Sequence, residues 1–389
     1  GGVLSTPVCN QTLTRTGNGR VRAGATDMQG YRQNMEDAIT VKLSLGREHP
    51  RHAFFGIFDG HGGEAASAFC KEKMHEAITA CANPMDQAQV RAAVLKVDAE
   101  FLTKLEVRDH GTTCIFAVVE AVGDEEWRVL VANVGDSRAL IIRQNGDMVE
   151  MSEDHKPDKA EERDRIFAAG GNTAMNRVDG NLALSRAIGD WQYKSNDDLP
   201  VEKQKVIPVP DFKTETVRPG DKLLIFCDGV VEALENQQVA AFARDLFAKH
   251  AGDPAMVASR LVLHSLEAGS KDNHSALVVD FRTEADGAAY EKPDEYLPGQ
   301  YHEWADDKGF VDAYLKDAAK RGKSREEALE AAKTAEKIPK ISEGAGMSMP
   351  LASILGGADG DDDDGLAPNL AMLRGVLAAH AQQGGPGKQ

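Results

Sequence analysis

Short runs of hydrophobic and β-branched residues recur through the first 283 residues and predict strands. The runs lie at 21–26, 39–43, 53–58, 113–122, 128–132, 139–143, 222–227 and 275–281. Apolar positions three and four residues apart predict helices at 64–80, 86–105, 158–169, 234–250 and 254–267. The helices come in pairs between groups of strands, so the pattern favours an α+β fold with a strand core covered by helix pairs. Residues 1–19 show neither pattern and are interpreted as an N-terminal extension.

The composition changes near residue 284. From there to the C-terminus the chain has 20 Asp and Glu against 12 Lys and Arg, and it has no aromatic residue after Tyr314. We therefore predict a domain at 20–283, a helical extension at 284–339 and an acidic, low-complexity tail at 340–389.

The extension contains two helical patterns, at 306–320 and 324–337. The second begins with Ser324 and has Glu327 three residues later, which is the spacing of a capping box. The tail from residue 340 to 365 is expected to be disordered, and a short apolar helix is expected at 366–377. The extension and tail leave three roles open: a partner-binding helix, an autoinhibitory segment or a solvated extension.

Charge and cysteine content exclude several classes of protein. The net charge is −17, and no cluster of basic residues with interleaved aromatic residues is present, so nucleic acid is not an expected partner. The cysteines are five in number and widely spaced, which favours a reduced, intracellular chain. The longest apolar runs are too short to span a bilayer. We expect a cytoplasmic, monomeric protein.

Acidic residues occur where four of the predicted strands begin or end. They are the pair Glu36-Asp37, Asp59 before a glycine-rich turn, Asp228 before Gly229, and Asp272. A single Asp-Gly pair usually marks a turn. If the strand ends converge, however, these carboxylates form a pocket of hard oxygen ligands that suits Mg²⁺ or Mn²⁺. Spacing alone leaves that convergence open.

Longer sequence segments support a specific family. They are YRQNMED at 31–37, FDGHGG at 58–63, NVGDSR at 133–138, DHKP at 154–157, LALSRAIGD at 182–190, CDG at 227–229 and DN at 272–273. Their order resembles that of the protein phosphatase 2C family over about residues 20–283. The resemblance implies a β-sandwich of two antiparallel sheets flanked by helix pairs, in four αββα layers, with a two-metal site at one end. It does not cover the C-terminal extension.

The resemblance also implies how two Mg²⁺ or Mn²⁺ ions are held. Asp59 matches the ligand that bridges both ions, and Asp228 and Asp272 match ligands of one of them. Glu36 and the Gly60 carbonyl complete the other site. Two such ions deprotonate a water near neutral pH and direct it at phosphorus, so no covalent phosphoenzyme is expected.

Two further residues match functional positions of the family. Arg32 resembles the phosphate-binding residue, since a guanidinium offers a planar set of donors to phosphoryl oxygens. His61 is suited to protonate the departing serine or threonine oxygen, because an imidazole titrates near neutral pH. The implied reaction is hydrolysis of phosphoserine and phosphothreonine in protein substrates.

A third, weaker ion stays open at this point. Asp136 matches a ligand of such an ion in some family members, but the residues after Asp228-Gly229 depart from the usual pattern. The family commonly has an aromatic residue and then Asp, whereas this chain has Val230-Val231-Glu232. Glu232 still offers carboxylate oxygens.

Other interpretations were weighed against this one. A catalytically inactive, phosphatase-like scaffold is the main alternative, although the carboxylates and Arg32 are all present. Cys9 and Arg15 have the spacing of a cysteine-dependent phosphatase, but no strand or helix pattern surrounds them. Gly60, Gly62 and Ala65 fit a dinucleotide-binding fingerprint, yet no second βα unit follows. Substrate identity is expected to depend on a variable flap at about 172–208.

The first residues match a lipidation signal. Gly1 fits an N-myristoylation site if an initiator methionine preceded it, and an expression-tag remnant is the competing explanation. Cys9 is a candidate for palmitoylation. One acyl chain gives marginal, reversible binding, so we expect a weak membrane-associated fraction at most.

Overall fold

The computed structural model describes residues 2–250, 252–283, 290, 292–301 and 308–335. Its longer strands build a sandwich, and its shorter strands lie in connections. In chain order they are β1 (Gln11–Gly17), β2 (Val21–Met28), β3 (Ala38–Lys42), β4 (His52–Phe58), β5 (Gly60–His61), β6 (Gly111–Thr112), β7 (Cys114–Ala121), β8 (Trp127–Val134), β9 (Arg138–Ile142), β10 (Met148–Glu150), β11 (Thr173–Ala174), β12 (Arg177–Val178), β13 (Ile188–Gly189), β14 (Asp211–Val217), β15 (Lys222–Phe226), β16 (His274–Phe281) and β17 (Lys292–Leu297).

Two antiparallel sheets form the centre of the fold. One has the order β10-β9-β15-β16-β2-β1-β17, and the other has the order β14-β8-β7-β4-β3. Small sheets, β13-β6-β5 and β11-β12, lie in the connections.

The described residues form eight α-helices. They are α1 (Ala65–Thr79), α2 (Gln87–Leu102), α3 (Ala160–Ala168), α4 (Asp228–Val231), α5 (Asn236–Lys249), α6 (Pro254–Glu267), α7 (Lys308–Lys320) and α8 (Arg325–Ala332). The α1–α2 pair packs on the five-stranded sheet, and the α5–α6 pair packs on the seven-stranded sheet. These contacts confirm the predicted α+β sandwich with flanking helix pairs.

Side chains alternate between the two faces of β4, so this strand contributes to two hydrophobic cores. Phe54 and Phe58 face α1 and α2, whereas Phe55 and Ile57 lie in the core shared with the other sheet. A strand places successive side chains on opposite faces, so a continuous apolar run buries both faces. The predicted runs therefore coincide with the central strands.

The apolar pattern does not predict strands β1, β14 and β17, because their sequences are polar. The prediction that residues 1–19 lack regular structure is wrong, since β1 pairs with β2 and β17. Its buried positions are Gln11, Leu13 and Arg15, which do not read as an apolar face. Arg15 is buried because its guanidinium contacts the carboxylates of Asp253 at 3.0 Å and Glu295 at 2.6 Å. β14 and β17 are equally polar.

The helices predicted in the C-terminal extension are present as α7 and α8. Ser324 and Glu327 form the expected capping box, in which each side chain accepts the backbone N–H of the other. The predicted tail, including the disordered segment and the short apolar helix, lies outside the described residues. Within the described ranges, no helix is long and apolar enough to cross a membrane.

Candidate metal and phosphate site

Strand pairing places the predicted metal ligands that come from the larger sheet at one end of its strands. β16 runs antiparallel to both β2 and β15, so its first residues lie opposite the last residues of those strands. Asp272 precedes β16, Asp228 follows β15, and Glu36 lies in the connection after β2. These three carboxylates are far apart in sequence, but they lie at the same end of the strands of the larger sheet.

Asp59 comes from the other sheet, at the end of β4. Its N–H donates to the Thr113 Oγ1 at 3.1 Å, and its carbonyl accepts the Thr113 N–H at 2.8 Å. Asp136 follows β8 in the same sheet. The negative charges of Asp136 and Asp228 both raise the pKa of the Asp59 carboxyl. The strand ends that carry acidic residues in the two sheets therefore lie close together.

The central carboxylates repel one another. Burial raises the pKa of Asp59 well above its usual range, and the negative charges of Asp37 and Asp228 raise it further. Burial also raises the pKa of Asp228, and Asp136 and Asp272 act in the same direction. The fold therefore concentrates negative charge where a cation would be bound most strongly.

Asp37 also belongs to this group of repelling carboxylates, although the sequence pattern indicated no functional role for it. Burial raises the pKa of its carboxyl despite a hydrogen bond from Ser275 Oγ to Asp37 Oδ2 at 2.6 Å. The other oxygen, Oδ1, has no hydrogen-bond partner among the described residues. The acidic pair just before β3 was visible in the sequence, but only the fold shows that the Asp37 charge acts on Asp59.

Asn273 fixes the connection that carries Arg32 and Glu36. Its Nδ2 donates to the carbonyls of Gln29 at 2.8 Å and Asn34 at 3.0 Å, and its Oδ1 accepts the Glu36 N–H at 3.0 Å. The Asp-Asn pair was noted in the sequence as part of the family pattern. Its amide acts as a backbone brace, a role that the sequence did not reveal.

Arg32 lies next to the metal ligands. Its Nη2 contacts the Asp272 Oδ2 at 2.6 Å, and about half of its side chain is exposed. A half-exposed guanidinium beside the acidic cluster can bind an anion that approaches from solvent. The position agrees with the phosphate-binding role that the resemblance implies.

Glycine is required at two positions where another segment of backbone packs closely against the chain. A Cβ at Gly60 would lie 2.3 Å from the Glu36 carbonyl oxygen, and one at Gly229 would lie 2.0 Å from the Asn273 carbonyl oxygen. Both distances are shorter than real Cβ contacts allow. The glycines that follow Asp59 and Asp228 therefore let the connections that carry the ligands pack against each other.

His61 is paired with a buried carboxylate that the sequence did not assign. The His61 Nε2 lies 2.7 Å from the Asp190 Oδ2. Burial alone would lower the pKa of His61, but the Asp190 carboxylate outweighs burial and raises it. Gly111 makes room for this pair, since a Cβ there would lie within 2.3 Å of both side chains. Asp190 ends the LALSRAIGD segment, which was the available signal.

A second buried pair holds the connection that presents Asp190. The Lys194 Nζ lies 2.6 Å from the Asp98 Oδ1 and donates to the Ala187 carbonyl at 2.8 Å. Asp98 Oδ1 also accepts the Gly189 N–H at 2.8 Å. Asp190 itself has a left-handed backbone with φ of 58°, which is costly for a non-glycine residue. Helix α2 thus stabilises an unusual conformation beside His61.

The two residues considered for a third ion each have protein partners. The Lys156 Nζ pairs with the Asp136 Oδ2. Glu232 Oε2 accepts hydrogen bonds from Ser270 Oγ and from the Lys271 N–H, both at 2.8 Å. The third ion stays a prediction.

The donor set fits a hard divalent cation. It consists of carboxylates and the Gly60 carbonyl, and the described residues offer no hydrogen-bond partner to the buried Asp37 Oδ1. Within the described residues no three His, Cys, Asp or Glu side chains are already arranged to hold a metal ion. Arg32 and Lys156 instead occupy oxygens of Asp272 and Asp136. Rotation of the Arg32 and Lys156 side chains would free these oxygens without any movement of the strand ends.

The alternative cysteine site is not supported. Cys9 is buried, and burial raises the pKa of its thiol to about 12. Arg15 is held by two carboxylates instead of facing the thiol. The same burial keeps the Cys9 thiol away from an acylating enzyme in this conformation, and Gly1 lies outside the described residues.

The sequence also matches a known family. The model of the family named protein phosphatase 2C matches residues 21–274, which is well over half of the chain. The chain belongs to the protein phosphatase 2C family. Membership of this family makes the chain a protein phosphatase and therefore a hydrolase, and the matched region contains Arg32, Glu36, Asp59, Asp228 and Asp272.

Individual relatives agree with this assignment. The chain is 35% identical over 273 residues to a probable protein phosphatase 2C of Caenorhabditis elegans, covering 68% of this chain and 74% of the relative. It is 35% identical over 274 residues to protein phosphatase 1L of Bos taurus, covering 66% and 71%. A solved phosphatase structure from Toxoplasma gondii is 30% identical with a TM-score of 0.65, covering 74% of this chain and 98% of that one.

Proposed function

We propose that this protein phosphatase 2C hydrolyses phosphoserine and phosphothreonine in proteins with the help of two Mg²⁺ or Mn²⁺ ions. The observation that carries the proposal is that the half-buried carboxylates of Asp59, Asp228 and Asp37 converge and repel one another beside Arg32. Asp59, Asp228, Asp272, Glu36 and the Gly60 carbonyl would hold the ions. Bound there, divalent cations lower the pKa of water and neutralise charge on a phosphoryl group.

The protein side chains bind and orient the phosphoester. Arg32 donates to phosphoryl oxygens from the solvent side of the acidic cluster. Asn273 keeps Arg32 and Glu36 on one braced connection, so the phosphate and the metal ligands keep their relative position. Positioning of this kind accounts for much of phosphoryl-transfer catalysis.

His61 supplies the proton for the leaving group. Water forms the new bond to phosphorus, the bond from phosphorus to the serine or threonine oxygen breaks, and that oxygen takes the proton from His61. Asp190 keeps the imidazole oriented and favours its protonated form.

One experiment separates this function from an inactive scaffold. We expect turnover of a phosphothreonine peptide and of an aryl phosphate in Mn²⁺, loss of both after chelation, and recovery when Mn²⁺ is restored. His61→Gln should reduce peptide turnover about 10² to 10⁴-fold and aryl phosphate turnover much less, since an aryl oxide leaves without protonation. A folded wild-type protein that hydrolyses neither substrate in Mn²⁺ would support the scaffold.

Cellular location and N-terminal acylation stay predictions. We propose a cytoplasmic enzyme with a weak membrane-bound fraction if Gly1 is myristoylated. Intact-mass measurement of the native protein tests this: an unacylated N-terminus removes the membrane fraction and leaves the catalytic proposal unchanged.

A further inference from the structure

Helix α7 contacts the phosphate-binding connection although it lies outside the residues that match the family model. The Lys316 Nζ donates to the Asn34 Oδ1 at 2.7 Å. One turn later, Lys320 pairs with Glu64, the residue that precedes α1. Both lysines are exposed. This chain therefore adds a basic rim to one side of the site.

Buried contacts fix the position of α7. Phe310 and Tyr314 are fully buried, and the Tyr314 hydroxyl donates to the Gly299 carbonyl at 3.0 Å. At the end of the helix, Arg321 contacts Asp27 at 2.7 Å and Asp317 at 2.9 Å. A helix anchored in this way holds its exposed lysines at a defined place, so their charges can recognise a ligand.

Lys316 lies close to the phosphate-binding arginine. Asn34, its partner, is two residues from Arg32, and the Asn34 carbonyl accepts a hydrogen bond from Asn273. Asn273 follows Asp272, which contacts Arg32. An extended peptide advances about 3.3 Å per residue, so a side chain two or three residues from a phosphorylated one reaches this rim.

The charge of Lys316 is available to a ligand. Its hydrogen-bond partner is a neutral amide, and among the described residues its ammonium forms no ion pair, whereas Lys320 is paired. The whole chain carries a net charge of −17, which repels acidic ligands at long range. A local basic group beside the site therefore changes substrate preference more than it would on a basic protein.

We propose that Lys316 is a specificity residue that recognises an acidic side chain two or three residues from the phosphoserine or phosphothreonine of a protein substrate. The inference rests on the proposed phosphatase function and extends it to a substrate class. Lys320 lies one turn away on α7, but its charge is paired with Glu64. The interaction is exposed, so it is moderate and sensitive to salt.

The test uses two pairs of phosphothreonine peptides, one pair for each side of the phosphothreonine. Within a pair, one peptide has Glu and the other has Gln at the positions two and three residues from the phosphothreonine. The measured quantity is the ratio of kcat/KM for the Glu peptide to kcat/KM for the Gln peptide in low salt with Mn²⁺. We expect a wild-type ratio of about three to five on one side, carried mainly by KM, and a ratio near one in Lys316→Gln. Lys333→Gln is the control, because Lys333 is an exposed lysine directly after α8 that pairs with Glu330.

Charge reversal and salt sharpen the test. Lys316→Glu should prefer a peptide with Lys at the same position, and the wild-type ratio should fall toward one in about 0.5 M salt. The proposed role of Lys316 is overturned by a wild-type ratio of one on both sides, or by a Lys316→Gln ratio equal to that of the wild type. In either case, normal turnover of aryl phosphate would leave the phosphatase function standing. Absence of all turnover in the wild type overturns the proposed function and this inference together.

Discussion

At the residue scale, Asp59 favours cation binding at the expense of stability. Its carboxyl has a raised pKa because of burial first and then because of Asp37 and Asp228. An unfolded carboxyl ionises at lower pH than this one, so the folded protein loses stability as pH rises toward the folded pKa. Relief of the repulsion should therefore stabilise the metal-free protein.

For Asp59→Asn we expect two opposite effects. In chelator at pH 7.5 the midpoint of thermal unfolding should rise by about 2–4 °C, and in Mn²⁺ the turnover of aryl phosphate should fall by about 10²-fold or more. Calorimetry and steady-state kinetics on the same preparation measure both. A variant that is less stable in chelator but fully active in Mn²⁺ would contradict the assignment.

Asp190 is predicted to control the pH range over which His61 is protonated. The pKa of His61 is raised by Asp190 against the effect of burial, and a general acid works only while it holds its proton. Asp190→Asn should lower this pKa, so that kcat on a phosphothreonine peptide begins to fall at a lower pH than in the wild type. The pH profile on aryl phosphate serves as the control and should move less. Identical profiles for wild type and variant would contradict a proton-donor role.

At the element scale, helix α2 acts on the site through the connection after β13. Asp98 is buried and binds both the Lys194 ammonium and the Gly189 N–H. Asp98→Asn keeps the shape but removes the charge, and it leaves Lys194 buried without a counter-charge. Such losses typically cost about 3–5 kcal/mol of stability.

We expect Asp98→Asn to lower kcat on the phosphothreonine peptide more than kcat on aryl phosphate, because Asp190 no longer holds His61 firmly. The ratio of the two rates distinguishes this from general destabilisation, which would lower both in proportion. Asp98→Glu, with its longer carboxylate, should restore part of the ratio. Equal losses on both substrates would show that Asp98 is purely structural.

At the scale of the whole molecule, the described part of the C-terminal extension is packed on the same body as the catalytic residues. β17 extends the larger sheet by pairing with β1, and α7 buries Leu4 and Val8. Arg321 places a buried cation beside Asp27 and Asp317. This packing includes residues beyond the family match.

A chain that ends at residue 283 is therefore expected to be less stable than the full chain, with a lower thermal midpoint. Arg321→Met should reproduce part of the effect, because it leaves the buried Asp317 carboxylate without its counter-charge, at a cost of about 3–5 kcal/mol. Lys333→Ala, an exposed change directly after α8, should leave the midpoint within error. Equal midpoints for the truncated and full chains would show that the extension does not support the catalytic body.

The sequence by itself determined the central strands, the helix pairs and the family. The strands buried on both faces, such as β4, are continuous apolar runs, and the helices repeat at their own period, so local pattern is sufficient there. The metal-ligand candidates Asp59 and Asp228 were also visible, since a carboxylate followed by glycine at a strand end has a local signature.

Only the tertiary structure decided which distant groups meet. Asp190 lies 129 residues from His61 along the chain, and no local pattern links them. Asn273, Asp98 and Arg321 likewise act through partners elsewhere in the sequence, and the polar strands β1, β14 and β17 are held by neighbouring strands instead of by their own apolar pattern. Local periodicity reports which residues are buried, whereas the pairing of buried polar groups depends on how the chain is folded in three dimensions.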